Sequence, residues 1–199
     1  VIPLSDMGLS LVRSAVIYGA NASGKTNVLK AIAFYKRFIV DSFKNSQAGE
    51  SIDVKNFRLN ISTIHEPTTM EATFAVGEYI YRYGFEVDQK AIHAEWLYRR
   101  MNRKRAKEVE IFYREGETTT VHAKSPLIQD LVNKKMVRGN ALLLSTAAQF
   151  NEATAINILH WLGDTQVLFC SEDEKMWSQA IRHLDDEKMR ERIVRFSKY

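Results

Sequence analysis

The stretch Gly19-Ala20-Asn21-Ala22-Ser23-Gly24-Lys25-Thr26 decides the fold of this 199-residue chain. It matches the pattern G-x-x-x-x-G-K-[ST] at every position. Glycines allow such a loop to close tightly, so that its backbone N–H groups point inward at a phosphate chain. The helix that follows presents unpaired N–H groups and a dipole that favours anions. The motif therefore predicts a phosphate-binding loop.

Two side chains of the motif have separate predicted roles. The Lys25 ammonium is placed to reach β- and γ-phosphate oxygens, and Lys25 is the catalytic residue that the motif predicts. The Thr26 hydroxyl is placed to ligate Mg²⁺, which bridges the same two phosphates. The expected ligands are therefore ATP and Mg²⁺. The predicted nucleotide-binding residues are Gly19, Ala20, Asn21, Ala22, Ser23, Gly24, Lys25, Thr26 and Asn27.

The residues around the motif predict a strand before it and a helix after it. Residues 14–18 form a short apolar run, which is typical of a buried strand. Residues 25–43 have apolar side chains at steps of three and four, which predicts an amphipathic helix. The buried stripe of that helix is expected to comprise Val28, Ile32, Tyr35, Ile39 and Phe43. Strand, loop and helix in this order are the context that the motif requires.

From about residue 70 to residue 121 the hydrophobic period changes to two, which predicts an antiparallel β-meander. Turns are expected at residues 77–78, 88–90, 102–107 and 116. One face of the meander is expected to be buried. The residues predicted on that face are Met70, Ala72, Phe74, Val76, Tyr79, Tyr81, Tyr83, Phe85, Val87, Ile92, Ala94, Trp96, Tyr98, Val109, Ile111 and Tyr113.

The remainder of the chain is predicted to be mostly helical. Helices are expected at 126–137, 152–162 and 173–196, with a short strand at 166–170. The fold class is therefore α/β, with a P-loop NTPase core, an antiparallel β-meander packed on it, and the start of a helical lobe. We expect the nucleotide-binding lobe to span residues 1–150 and the helical lobe to begin at residue 151.

Composition limits the class of protein. No apolar run approaches the roughly 18 residues needed to span a bilayer, so no membrane association is expected. The single cysteine, Cys170, excludes an internal disulfide framework and indicates a reducing, cytoplasmic setting. A net charge of +4 permits a polyanionic partner without requiring one. The chain does not begin with Met, so we expect the natural start to be missing.

The phosphate loop and the following Asn27 resemble those of ABC-type ATPases related to SMC, Rad50 and RecF proteins. Within that group the chain most resembles the AAA15 branch of the OLD-like superfamily. The supporting phrases are Tyr81-Arg82-Tyr83-Gly84-Phe85-Glu86, Glu95-Trp96-Leu97-Tyr98, and Leu142-Leu143-Leu144-Ser145 leading to Gln149-Phe150-Asn151. Similar phrases in similar order cover most of the chain.

This resemblance implies a head-to-tail homodimer, with ATP between the phosphate loop of one subunit and the signature motif of the other. It also implies a role in anti-phage defence, in which the ATPase controls a nuclease-type effector protein. By the same resemblance, Gln149 is expected to contact Mg²⁺ and the attacking water, as a catalytic residue. The alternative for Gln149 is an ordinary polar residue at a helix cap.

The chain departs from that family in two motifs. A complete ATPase of this type needs a Walker B strand ending in Asp-Glu, preceded by a signature motif. The nearest candidate, Val167-Leu168-Phe169-Cys170-Ser171-Glu172-Asp173-Glu174, has its carboxylates too late and no signature motif before it. Its acidic residues are better explained as the first turn of a helix, where negative charge suits the dipole. We therefore expect both motifs beyond Tyr199, so that this chain alone binds nucleotide but hydrolyses it poorly.

Three functional hypotheses stay open: the defence ATPase, a DNA-maintenance ATPase like SMC or RecF, and a nucleotide-sensing scaffold that never hydrolyses ATP. A dense basic run bears on the choice, and it comprises Arg99, Arg100, Arg103, Lys104, Arg105 and Lys107. This run could bind nucleic-acid phosphates or an acidic partner protein. It could also be a solvated turn, which is favoured because no stacking aromatic side chains are interleaved with it.

Overall fold

The computed structural model describes residues 2–3, 10–11, 14–45, 49–55, 66–122, 125–169, 187 and 190–191. The chain divides into two compact units, Val1–Thr165 and Gln166–Tyr199. In the second unit, the helical residues Glu187 and Arg190 form an exposed ion pair of 3.9 Å. The predicted division of the chain at residue 150 stays a prediction.

The described strands of the first unit form two antiparallel sheets. Two short strands, β1 (Ile2–Pro3) and β2 (Ser10–Leu11), pair with each other. The larger sheet has the order β3-β4-β5-β6-β7. Its strands are β3 (Thr68–Val76), β4 (Tyr79–Val87), β5 (Ile92–Met101), β6 (Val109–Glu115) and β7 (Thr118–Val121). The predicted β-meander is therefore confirmed, and its turns at Gly77 and Gly116 have φ values of 58° and 55°, which favour glycine.

In the described part of the first unit the helices are α1 (Lys25–Asn45), α2 (Pro126–Asn133), α3 (Leu143–Gln149) and α4 (Ala153–Asp164). The predicted helices at 25–43 and 152–162 are confirmed. The predicted helix at 126–137 is too long, because Lys135 has a φ of 51°, which a right-handed helix cannot continue. None of the described helices is long and apolar enough to cross a membrane. The predicted helix at 173–196 lies outside the described residues, apart from 187, 190 and 191.

The core lies between one face of the larger sheet and the helices. Its largest fully buried sheet residues include Tyr83, Phe85, Leu97 and Phe112. The second half of α1 packs on them, with the rings of Tyr35 and Phe85 stacked at a centroid distance of 5.5 Å. The Tyr35 hydroxyl also donates a hydrogen bond to the Tyr83 carbonyl at 2.9 Å. At one edge, α4 contacts β3 through the stacked rings of Phe74 and Trp161, 4.7 Å apart.

The predicted buried face of β5 and β6 is wrong at several positions. Trp96, Tyr98 and Tyr113 lie on the outer face, and Val109 is exposed. Glu95, Leu97 and Phe112 are the fully buried residues instead. The cause is a register irregularity in each strand pair, β4 with β5 and β5 with β6. A bulge moves every later side chain to the opposite face, and sequence alternation does not reveal it.

The two predicted strands outside the meander are also wrong. Residues 14–18 form no strand, and Tyr18 is 88% exposed. Residues 166–169 form no strand either, and Cys170 lies outside the described residues. An apolar run becomes a strand only where a neighbouring segment accepts and donates its backbone hydrogen bonds. Within the described ranges, neither run pairs with such a segment.

The predicted stripe of α1 is correct for only half of the helix. Tyr35 and Ile39 are buried against the sheet, and Phe43 is half-buried. Val28 and Ile32, on the first turns, are exposed. The helix therefore begins outside the packed core and ends within it.

Candidate functional site

The loop before α1 is held by short-range hydrogen bonds. The Ser23 N–H donates to the Ala20 carbonyl at 3.2 Å, and the Asn27 N–H donates to the Gly24 carbonyl at 2.9 Å. Ala22 and Gly24 have φ values of 62° and 91°. These left-handed conformations reverse the chain twice within three residues, so that the loop closes and α1 begins at Lys25.

The two glycines of the motif differ in what a side chain would meet. A Cβ at Gly19 would lie 2.7 Å from the Ser23 Oγ, a contact that rotation of the short Ser23 side chain relieves. A Cβ at Gly24 would meet only the Asn27 side chain, at 4.0 Å, but the φ of 91° strains any other residue. The backbone conformation therefore favours glycine at position 24.

The Lys25 ammonium lies over its own loop. Its Nζ donates to the carbonyls of Gly19 and Ala20 at 2.7 and 2.6 Å. The Ser23 Oγ is 3.5 Å from the same nitrogen. A cation is thus held against a loop that also ends at a helix N-terminus, and both features favour an anion nearby.

These residues fit a polyphosphate with its metal ion. The N–H groups of Lys25 and Thr26 belong to the first turn of α1, where backbone donors have no intrahelical acceptor. The Thr26 hydroxyl is exposed on this turn and is an oxygen ligand of the kind that Mg²⁺ prefers. Asn21 and Asn27 are exposed beside it. The assignment of residues 19–27 to nucleotide binding stays a prediction that this geometry supports.

Gln149 lies away from the loop in sequence and shares no hydrogen bond with it among the described residues. It is the last residue of α3 and is exposed. The apolar run before it, Leu142–Ser145, is buried as the start of that helix. The predicted contact of Gln149 with Mg²⁺ and water stays a prediction.

A buried polar cluster at the other end of α3 was not predicted from the sequence. Glu95 is 0% exposed, and its carboxylate accepts from the N–H groups of Leu143 and Leu144 at 2.6 and 2.9 Å. The Tyr83 hydroxyl donates to the same carboxylate at 2.9 Å, and the Arg114 Nη1 is 3.7 Å away. A side chain of the sheet therefore caps the N-terminus of α3, a role normally taken by the residue before the helix.

The electrostatics of this cluster follow from its burial. Loss of water raises the pKa of Glu95, while Arg114 and the two N–H donors of α3 act in the opposite direction. Burial likewise raises the pKa of Tyr83. The signal in the sequence was a glutamate between apolar neighbours in a strand, which alternation alone places on the solvent side.

The basic run surrounds a shallow cleft of about 290 Å³, at the edge of the sheet where β4 begins and β5 ends. The cleft is lined by Arg99, Arg100, Arg103 and Lys107, together with Tyr79, Met101, Ala106 and Val109. The Arg99 guanidinium lies over the Tyr79 ring, 4.9 Å from its centroid. The aromatic side chain that the basic run itself lacks is thus supplied by the neighbouring strand.

Comparison with known proteins identifies the family. A family model described as "AAA domain, putative AbiEii toxin, Type IV TA system" matches residues 14–147. The match begins before the phosphate loop and continues through the larger sheet into α3. No curated protein and no solved structure matches the chain. AAA ATPases generally bind ATP with Mg²⁺. Because the match covers well over half of the 199 residues and includes the loop, the chain belongs to this AAA-domain family of P-loop ATPases.

Proposed function

We propose that the chain binds MgATP through residues 19–27 and forms the nucleotide-binding part of an ATPase. The observation that supports this most directly is the position of the Lys25 ammonium. It lies 2.7 Å from the Gly19 carbonyl, on a loop in which Gly24 has a φ of 91°. A cation and a helix N-terminus within one short loop are suited to a β- and γ-phosphate pair.

Each residue of the loop would contribute separately. Lys25 would bind the terminal phosphates and stabilise the charge that develops on them during transfer. The Thr26 hydroxyl would hold Mg²⁺, which neutralises phosphate charge when bound. Gly19 and Gly24 would let the backbone approach the phosphates closely. Asn27 lies on the first turn of α1, next to this site.

Hydrolysis needs a group that activates water, and residues 14–27 contain no carboxylate. In the proposed mechanism Gln149 would contact Mg²⁺ and the attacking water. The 199-residue chain alone then binds ATP but turns it over slowly.

The proposed assembly is a head-to-tail homodimer around ATP that controls a nuclease-type effector in anti-phage defence. The resemblance to the AAA15 branch of the OLD-like superfamily supports this proposal. The family description, which names a toxin of a type IV toxin–antitoxin system, is compatible with a regulated effector. ATP binding and hydrolysis would shift the dimer between states that hold or release the effector.

A second candidate is a DNA-maintenance ATPase of the SMC or RecF type. The cleft of Arg99, Arg100, Arg103 and Lys107 favours it, because clustered cations attract nucleic-acid phosphates. A third, a nucleotide-bound scaffold without turnover, differs from both in having no ATPase activity.

ATP turnover by the full-length protein, with and without DNA, separates these candidates. Lys25→Ala is the test variant, and Lys30→Ala is the matched control, since Lys30 is an exposed lysine of the same helix. A turnover rate that is lost in Lys25→Ala and does not change on addition of DNA supports the defence ATPase. Turnover that needs Lys25 and rises with DNA supports the maintenance ATPase. Tight MgATP binding without turnover supports the scaffold, and turnover unchanged by Lys25→Ala contradicts the site assignment.

A further inference from the structure

We infer that the cleft where β4 begins and β5 ends is a binding site for single-stranded nucleic acid. The site is separate from the phosphate loop, and the inference does not depend on ATP binding. It rests on four observations: the charge of the lining, the lack of acidic partners for that charge, an aromatic ring beside it, and its size.

The lining carries one sign of charge. Four of its eight residues are cationic, namely Arg99, Arg100, Arg103 and Lys107, and none is acidic. Lys104 and Arg105 extend the charge around the turn. A concave surface with cations on its walls concentrates the potential and attracts a polyanion.

These cations differ from other arginines of the sheet in having no acidic partner among the described residues. Arg82 lies between Glu71 and Glu108, at 3.0 and 2.6 Å, and Arg114 faces Glu95. Within the described ranges, no carboxylate forms an ion pair with any cation of the cleft or its turn. Positive charge that no carboxylate of these ranges neutralises is available for an anionic ligand.

The ring beside the cations is Tyr79. Tyr79 and Met101 are directly opposite each other on β4 and β5, so the ring lies beside the turn between β5 and β6 that carries the basic run. The Arg99 guanidinium lies over this ring, 4.9 Å from its centroid, and the half-buried Tyr79 side chain also packs against the core. Base–aromatic stacking next to backbone-tracking cations is the usual arrangement of proteins that bind single strands.

The size of the cleft favours a single strand over other polyanions. A volume of about 290 Å³ is close to the lower limit for small-ligand pockets, so the cleft accommodates a single unpaired nucleotide. An acidic protein surface would use the charges but would have no need of the ring. The ring therefore distinguishes a single strand from an acidic protein.

The first experiment measures fluorescence anisotropy of a labelled oligothymidylate of about 15 nucleotides, a length that covers a typical single-strand site. The test variant replaces Arg100, Arg103 and Lys107 with alanine. The control variant replaces Lys55, Lys90 and Lys134 with alanine. These three exposed lysines lie outside the cleft lining, so the control removes the same amount of positive charge. We expect the test variant to bind about tenfold more weakly or worse, and the slope of log K against log salt to fall by about 2. Equal weakening in both variants would overturn the site.

The second experiment separates the possible ligands. Tyr79→Leu should weaken oligothymidylate binding about tenfold, while Tyr79→Phe, which keeps the ring, should bind as the wild type does. Thermal unfolding of both variants shows whether the sheet is intact. The same titrations use a duplex of equal length and a polyglutamate peptide as competing probes.

Preference for the single strand, together with sensitivity to Tyr79→Leu but not to Tyr79→Phe, supports the proposal. Tighter binding of the duplex or of polyglutamate, with no effect of Tyr79→Leu in a folded protein, would show that the cleft serves another polyanion. MgATP affinity, measured on the same samples, should not change in any of these variants.

Discussion

Helix α1 passes through two regions of the molecule that differ in how they are held. Its second half packs on the larger sheet, where Ile39 is fully buried and Tyr35 donates to Tyr83. Its first turns carry exposed apolar residues, including Ile32 at 45%. They continue from a loop whose hydrogen bonds, among the described residues, lie within residues 19–27. We call these two regions the packed region and the loop region.

The comparison shows that stability and ligand binding depend on different parts of the chain. In the packed region, side chains far apart in sequence contact one another, so each buried residue contributes to unfolding free energy. In the loop region, the conformation follows from glycines and neighbouring residues and needs no distant partner. Changes in the packed region should therefore alter stability without altering ligand affinity, and changes in the loop region should do the opposite.

The largest expected effect is on the packed region. Glu95→Ala removes the acceptor for two N–H groups of α3 and leaves the buried Arg114 without its carboxylate. Breaking a buried pair in this way costs about 3–5 kcal/mol of unfolding free energy. Urea denaturation measures the loss. Glu108→Ala, which breaks the half-exposed pair with Arg82, is the control and should cost about 1 kcal/mol or less. Similar losses for both variants would show that the buried cluster is not special.

A matched pair within α1 tests the boundary between the regions. Ile39→Ala leaves a cavity under the sheet and should lower the unfolding free energy by about 2–5 kcal/mol. Ile32→Ala changes an exposed side chain two turns earlier and should change it by about 0.5 kcal/mol or less. Both are measured by urea denaturation of the same chain. Equal losses of unfolding free energy in the two variants would show that the boundary between the packed region and the loop region lies elsewhere.

The same distinction explains how far the sequence predicts this molecule. The meander and α1 were predictable, because period two and period 3.6 in hydrophobicity follow directly from strand and helix geometry. The loop was predictable because its motif needs only local geometry. The predicted strand at 14–18 was wrong, since strand formation depends on a neighbour that local sequence does not specify.

The misses within the packed region have the same origin. The bulges that put Glu95 in the core and Trp96 outside it depend on how whole strands pair. The role of Glu95 as a cap for α3, and that of Tyr79 beside the basic cleft, arise only when distant segments meet. Long-range pairing of this kind leaves no short motif.

Gly24, in the loop region, and Gly77, in a turn of the larger sheet, allow a comparison at equal cost in backbone strain. Gly24 and Gly77 have φ values of 91° and 58°, and an added Cβ meets only an atom 4.0 Å away at the first and nothing within 4 Å at the second. Alanine at either position should therefore lower the unfolding free energy by about 1 kcal/mol through backbone strain. Only Gly24→Ala should also weaken MgATP binding, by about tenfold, since it deforms the loop. Calorimetric titration and thermal unfolding check both parts. A loss of MgATP affinity in Gly77→Ala would contradict the separation.

The smallest expected effect concerns Thr26. Thr26→Ala removes the proposed Mg²⁺ ligand, so MgATP affinity should fall about fivefold, as for one lost hydrogen-bonding group. Affinity for ATP measured in EDTA should not change, because no metal ion is then present. The unfolding free energy should also stay the same, since Thr26 is exposed. A loss of affinity that is equal with and without Mg²⁺ would remove Thr26 from the metal site.

The central claim is that Lys25 binds the phosphates of ATP, and calorimetric titration of MgATP into the wild type and Lys25→Ala tests it most directly. Lys30→Ala is the control, and urea denaturation confirms that all three proteins are folded. We expect Lys25→Ala to bind more than about tenfold more weakly, because a charged hydrogen-bond donor is lost, while Lys30→Ala binds as the wild type does. Equal affinity of the wild type and Lys25→Ala for MgATP would contradict the claim.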